Sequence, residues 1–139
     1  MKPVMTKEDL HDLMQREFPQ MADHFDVEEV REDGAVVRMF VTDDHLRPGG
    51  TVSGPTMFSL ADCAFYMAVL AMIGPEALTV TTNCSIDFMR TPEPGDLIGE
   101  ARILKLGKAL VVGDVLIHSI HNDKPVARAS LTYSIPPKR

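Results

Sequence analysis

The chain has 139 residues and a formal net charge of -6. This length suits one domain with one core, and we expect a single domain over residues 1–139. An acidic balance without a basic stripe excludes a dedicated nucleic-acid binder, although a small anionic ligand is compatible with it. Cys63 and Cys84 lie in apolar or strand-like stretches without CxxC spacing. They therefore predict neither a disulfide framework nor a metal site.

The first residues predict a short amphipathic helix. Thr6 and Asp9 have the spacing of a capping pair, and apolar residues recur at helical spacing at Leu10, Leu13, Met14 and Phe18. Pro19 is expected to end this helix. The stretch MKPVMTKEDLHDL has no apolar core of the signal-peptide type, so we expect a cytoplasmic protein.

Two strand-like segments follow, over residues 24–32 and 35–42, and the Asp33-Gly34 pair between them suits a hairpin turn. Four more strand-like runs occur after residue 77, separated by TPEPGD, GKA and HNDKP. These runs cover residues 78–89, 97–106, 110–120 and 126–135. The last alternates most clearly, with Ala127, Ala129, Leu131, Tyr133 and Ile135 on one face.

Between the two groups of strands lies TMFSLADCAFYMAVLAMI, a helix that is apolar on all sides and ends at Gly74-Pro75. Its length is barely enough to span a bilayer, and Asp62 near its middle opposes insertion. We therefore predict an α+β hotdog architecture, in which a curved antiparallel sheet wraps around this helix. Such a sheet leaves edges uncovered, so we also predict a homodimer or a homotetramer.

Asp62 is the only charged residue in that helix, and no basic residue stands three or four positions away to pair with it. A buried carboxylate without an ion partner is a candidate for a functional site. Upstream, Gly54 and Pro55 begin the helix, where free N–H groups and the helix dipole favour an oxygen that gains negative charge.

The stretch GGTVSGPTMFSLAD resembles the signature of hotdog-fold acyl-CoA thioesterases of the phenylacetate-degradation (PaaI-like) group. The matching residues are Gly50, Thr51, Gly54, Phe58, Leu60, Ala61 and Asp62, and SIDFMRTPEPGD is similar to the strand and turn that follow. The resemblance covers roughly residues 27–135. It implies hydrolysis of an acyl-CoA thioester to a free acid and coenzyme A, with no cofactor other than the coenzyme A of the substrate.

The resemblance also implies roles for individual residues. Asp62 is expected to act as nucleophile or general base, and the Gly54 N–H is expected to polarise the carbonyl. Thr81 aligns with a Ser/Thr position that orients the water or the carboxylate, and a one-residue slip would substitute Thr82. In that family the site forms across the dimer, so Thr81 is expected to serve the other subunit's Asp62.

The chain departs from the signature at Ser53, which replaces His, at Pro55, which replaces the second Gly, and at Arg47, which replaces Asn. Ser53 is expected to bind a carbonyl or cap the helix. The expected substrate-binding residues are Arg47, Phe58, Tyr66, Thr82 and Asn83, and the expected coenzyme A-binding residues are Arg90, Lys105 and Lys108. The acyl group is either an aryl or a medium-length alkyl chain.

Two other functions are compatible with the sequence. A hotdog hydratase or dehydratase would pair His45 with Asp62, and a catalytically silent module would bind acyl thioesters without turnover. Cys63 is expected to belong to the core, because it lies about 100° around the helix from Asp62 and has no adjacent His.

Overall fold

The computed structural model describes residues 1–137, and its N-terminal segment forms two short helices. Helix α1, Lys7–Glu17, begins at a capping box between Thr6 and Asp9, as predicted. Pro19 does not simply end this segment. It begins a second helix, α2, over Pro19–Ala22, because proline lacks only an N–H that the first helical turn leaves unpaired.

The remaining elements match the predicted order of a hairpin, a long helix and four strands. Strands β1, Phe25–Arg31, and β2, Gly34–Met39, precede a 3-10 turn over Asp43–His45 and helix α3, Gly54–Ile73. Strands β3, Val80–Phe88, β4, Leu97–Leu106, β5, Leu110–Ser119, and β6, Asn122–Ser134, follow. Strand β6 therefore begins four residues earlier than the sequence pattern predicted.

All six strands form one antiparallel sheet in the order β1-β2-β4-β5-β6-β3. Helix α3 contacts every one of them, which requires the sheet to curve around it. This arrangement is the predicted α+β hotdog fold. It buries most of α3, and burying a Leu or Phe side chain fully contributes about 1.5 to 3 kcal/mol of hydrophobic stabilisation.

The sheet approaches α3 closely at two glycines. A Cβ at Gly99 would lie 3.2 Å from Leu60, and a Cβ at Gly113 would collide with the ring of Phe65. Small residues at these positions let the helix lie directly on the sheet. Helix α3 is long and apolar enough to cross a membrane, but 72% of its most apolar 18-residue window is buried inside the protein. It is the core helix of this fold.

Strand β3 forms one edge of the sheet and is mostly exposed. Large apolar side chains are exposed on it and beside it, at Leu78, Val80, Phe88 and Met89. Thr82 is an extra residue in this strand, because Thr81 pairs with Tyr133 and Asn83 pairs with Thr132. The resulting bulge sets which side chains of β3 face α3.

Candidate active site

The side chain of Ser53 fixes the start of α3. Its hydroxyl oxygen accepts a hydrogen bond from the Thr56 N–H at 3.3 Å, while the Thr56 hydroxyl donates to the His45 carbonyl at 3.2 Å. Ser53 is thus the N-cap, which was one of its two expected roles. No acceptor within residues 1–137 takes a hydrogen bond from the Gly54 N–H. This N–H is therefore available to a ligand oxygen at the positive end of the helix dipole.

Asp62 lies in the third turn of α3 and is held by two hydroxyl groups. Thr81 of β3 and Tyr133 of β6 are paired directly across the two strands, so their side chains leave the same face of the sheet. Both hydroxyl oxygens lie 2.6 Å from Oδ1 of Asp62. These distances are typical of O–H donors bound to an ionised carboxylate.

Asp62 opens into a mostly apolar cavity of about 390 Å³. Its wall comes from α1, α2, α3, β3, β6 and the segment that leads into β3. Besides Asp62, the lining residues are Met14, Phe18, Met21, Ser59, Cys63, Tyr66, Ala77, Leu78, Thr79, Val80, Thr81 and Tyr133. No Lys or Arg lines this cavity, and no basic group within residues 1–137 forms a salt bridge with Asp62. The carboxylate thus faces an uncharged space large enough for an acyl group.

Burial changes the acidity of the groups around Asp62. It raises the pKa of the Cys63 thiol far above its usual range, and the neighbouring charge of Asp62 raises that pKa further. The same two causes, in the same order, raise the pKa of the Tyr133 phenol. Burial also raises the pKa of Tyr66 to about 12, and its hydroxyl donates to the Ala77 carbonyl at 2.8 Å. All three groups are neutral at physiological pH, which makes Cys63 a poor nucleophile.

The predicted site residues fall into two groups within one chain. Thr81 and Tyr66 lie with Asp62 in the 390 Å³ cavity. Arg47 and Arg90 lie with Gly54 around a smaller cavity of about 200 Å³ at the start of α3. Asp62 lies eight positions after Gly54, which is about 12 Å along a helix.

Other predicted residues lie outside both cavities. Thr82 is exposed and donates to the Thr132 carbonyl, so Thr81 and not Thr82 contacts the carboxylate. That contact lies within one chain, whereas the family resemblance implied a contact across the dimer. Phe58 and Asn83 are exposed. Lys105 and Lys108 lie at the end of β4 and in the β4–β5 turn, near the C-terminal end of α3 and away from Arg90.

Sequence reasoning missed two parts of the site. The alternation places Tyr133 on one face of the last strand without indicating a role, although it is the only one of the five residues on that face with a hydroxyl. The second part is the wall that Met14, Phe18 and Met21 contribute from α1 and α2. The helical spacing of α1 predicted an apolar face, but it gave no signal for what that face covers.

His45 and Asp62, the pair that a hydratase or dehydratase would use, do not contact each other within one chain. Nδ1 of His45 accepts a hydrogen bond from the Thr42 N–H at 2.9 Å, and its ring packs edge-on against His24. It lies beside the start of α3, because its carbonyl accepts from the Ser53 N–H. His45 and Asp62 therefore form no catalytic pair within one chain.

A hotdog fold with a carboxylate in an apolar cavity of its core helix is typical of enzymes that act on acyl thioesters. The family model described as the thioesterase superfamily matches residues 49–126, more than half of the chain. The protein belongs to the thioesterase superfamily and is a thioester hydrolase.

Similar proteins agree with this class. A candidate thioesterase from Silicibacter sp. TM1040 is 51% identical, with a TM-score of 0.91 over 99% of this chain and 96% of that one. The PaaI protein of the phenylacetic acid degradation operon of E. coli is 27% identical, with a TM-score of 0.77 over 94% of this chain and 92% of that one. A candidate esterase of Pseudomonas aeruginosa is 28% identical over 102 residues, which are 73% of this chain and 75% of the relative.

Proposed function

We propose that the protein hydrolyses acyl-CoA thioesters whose acyl group is an uncharged aryl or medium-length alkyl chain. The observation that carries the proposal is the Asp62 carboxylate, which is bound by two hydroxyl groups, faces an apolar cavity and has no basic partner among the described residues. Within residues 1–137, Asp62 is the only charged residue in the wall, which favours an uncharged acyl group.

In the proposed reaction, the Asp62 carboxylate removes a proton from a water molecule as the water oxygen attacks the thioester carbonyl carbon. The C–S bond then breaks, and the leaving thiolate takes the proton that Asp62 holds. The products are a free acid and coenzyme A, and no further cofactor takes part. Direct attack by the carboxylate, through a mixed anhydride that water then opens, is the alternative route.

A dimer is part of the proposal. The Gly54 N–H and Asp62 of one chain are about 12 Å apart along α3, too far for both to contact one carbonyl group. The free edge of β3, with exposed Val80 and Phe88, offers a surface on which a second copy can extend the sheet. We therefore propose that the Gly54 N–H of one copy polarises the carbonyl that Asp62 of the other copy addresses.

Coenzyme A carries phosphate groups, which guanidinium groups bind well. Arg47 and Arg90 lie beside Gly54, so we propose that they bind the phosphates of the substrate. Lys105 and Lys108 lie near the opposite end of α3, so we do not include them in this phosphate site. Their binding of coenzyme A stays a prediction from the sequence. The proposed cytoplasmic location likewise stays a prediction.

The test is a panel of acyl-CoAs, from acetyl to palmitoyl and including aryl groups, assayed by release of free thiol. We expect turnover of medium-chain or aryl substrates, and a loss of at least about 100-fold in kcat for Asp62→Asn. Asp123→Asn is the matched control, because Asp123 is an exposed residue at the start of β6 and does not line the cavity. Hydration of an enoyl-CoA that depends on His45, or binding without turnover of any thioester, would contradict the proposal.

A further inference from the structure

The two oxygens of the Asp62 carboxylate have different surroundings. Oδ1 accepts hydrogen bonds from Thr81 and Tyr133, each at 2.6 Å. Oδ2 receives no hydrogen bond from any group within residues 1–137. Since Oδ1 already has two donors, Oδ2 is the oxygen with lone pairs available for a water molecule or a substrate carbon.

Tyr133 contacts Asp62 at two atoms. Its hydroxyl oxygen also lies 2.8 Å from the main-chain carbonyl oxygen of Asp62. A phenol has one proton, and the charged carboxylate is the stronger of the two acceptors. The hydroxyl therefore ties the carboxylate to a point beside the backbone of the same residue, which limits rotation of the Asp62 side chain.

The Tyr133 ring is itself held firmly. Only 2% of the residue is exposed, and its ring packs edge-on against Phe65 with centroids 5.3 Å apart. Because burial keeps the phenol protonated, it is a permanent donor over the range in which an aspartate titrates. Because the ring is already immobile, it can orient a carboxylate without losing further conformational entropy in each turnover.

We propose that Tyr133 is a positioning residue for Asp62, which holds Oδ1 so that Oδ2 is the atom that reacts. The proposal rests on the hydrolysis proposed above. In this role Tyr133 acts through the carboxylate and does not act directly on the water or the thioester.

The other titratable groups near Asp62 do not orient its carboxylate. Cys63 of α3 and Cys84 of β3 are neutral thiols, because burial first and the charge of Asp62 second raise the pKa of each. Glu17 of α1 lies close enough to raise the pKa of Tyr66 slightly, and the Tyr66 hydroxyl binds Ala77 rather than Asp62. Tyr66 is thus a phenol in the same cavity without the contact to the carboxylate.

The first experiment measures the pH dependence of kcat for the wild type and Tyr133→Phe with one acyl-CoA. We expect kcat to fall about tenfold or more with a smaller change in KM, because the carboxylate loses its orientation. Loss of a donor to the charged form favours protonation, so the acid limb of the profile is expected to move to higher pH.

Tyr66→Phe is the matched control, since it also removes a phenol hydroxyl from this cavity, but one that does not contact Asp62. Its acid limb is expected to stay where the wild-type limb lies, whatever happens to KM. A Tyr133→Phe protein with unchanged kcat and an unmoved acid limb would overturn the proposal, as would an equal displacement in Tyr66→Phe.

A second measurement does not depend on turnover. In protein labelled with ¹³C at the aspartate carboxyl carbons, the Asp62 resonance is identified by its loss in Asp62→Asn. Its titration midpoint is expected at higher pH in Tyr133→Phe than in the wild type, and an unchanged midpoint would overturn the role of Tyr133. If the wild type hydrolyses no acyl-CoA, the proposed function fails, while this titration still decides whether Tyr133 controls the carboxylate.

Discussion

Thr81 and Tyr133 lie opposite each other on neighbouring strands, and both donate to the same oxygen of Asp62. The pairing depends on the bulge at Thr82, because one extra residue in β3 changes which side chains face the helix. The carboxylate is therefore positioned by the register of two strands as well as by its own helix.

The hydroxyl of Thr81 is expected to matter for turnover. Thr81→Val keeps the shape of the side chain and removes the donor, so we expect kcat to fall about tenfold or more. Thr81→Ser should restore most of that loss, because it keeps a hydroxyl. Thr82→Val tests the alternative alignment, and a larger loss in that variant than in Thr81→Val would contradict the assignment. Free-thiol release from one acyl-CoA measures all three.

Phe18 is expected to limit the length of the acyl group. It joins α1 to α2 and lines the cavity that contains Asp62. Phe18→Ala enlarges this cavity, so we expect the ratio of kcat/KM for dodecanoyl-CoA to that for octanoyl-CoA to rise about tenfold.

Phe40→Ala is the matched control for Phe18→Ala. Both phenylalanines are 40% exposed, but Phe40 packs near the Arg38 guanidinium and does not line the cavity. Assays of chain-length preference compare the two variants. An equal change of preference in both would show that the wall from α1 and α2 does not select the acyl group.

Arg47 and Arg90 are expected to act on the nucleotide part of the substrate. Arg47→Gln and Arg90→Gln should each raise KM for acyl-CoA several-fold, because each removes a charge that pairs with phosphate. The same acyl group on N-acetylcysteamine has no phosphate, and its hydrolysis should change little in either variant. Lys108→Gln tests the more distant lysines, and a larger effect there would move the phosphate site away from Gly54.

Tyr66 is expected to make stability fall at high pH. Its pKa is raised from the ordinary value of 10.0 to about 12 in the folded protein, so the phenol ionises more easily when the chain unfolds. The unfolded state then binds fewer protons above pH 10, and the free energy of unfolding falls as pH rises from about 10 towards 12.

Urea unfolding of the wild type and Tyr66→Phe at about pH 9 and about pH 11 measures this effect. The wild type should lose more stability between the two pH values than the variant does. Equal losses would mean that the Tyr66 phenol is not held in its neutral form by the fold.

The pattern of apolar and polar residues was enough to predict the architecture. A helix that is apolar on all sides and carries one acid has to be covered by other elements, and the alternating runs on both sides supply a sheet. For the same reason Asp62 could be selected from the sequence, since a lone carboxylate in such a helix needs an explanation. The resemblance in GGTVSGPTMFSLAD then indicated the chemistry.

The surroundings of that acid depend on contacts between elements that are far apart in the sequence. The partners of Asp62 come from β3 and β6, which are distant in sequence and meet through their pairing, and the bulge that aligns them has no clear sequence signal. Met14, Phe18 and Met21 close the cavity because α1 and α2 pack there, a contact that their own helical spacing does not specify. Periodicity reports which face of an element is buried, whereas the identity of the group it is buried against depends on contacts between distant parts of the chain.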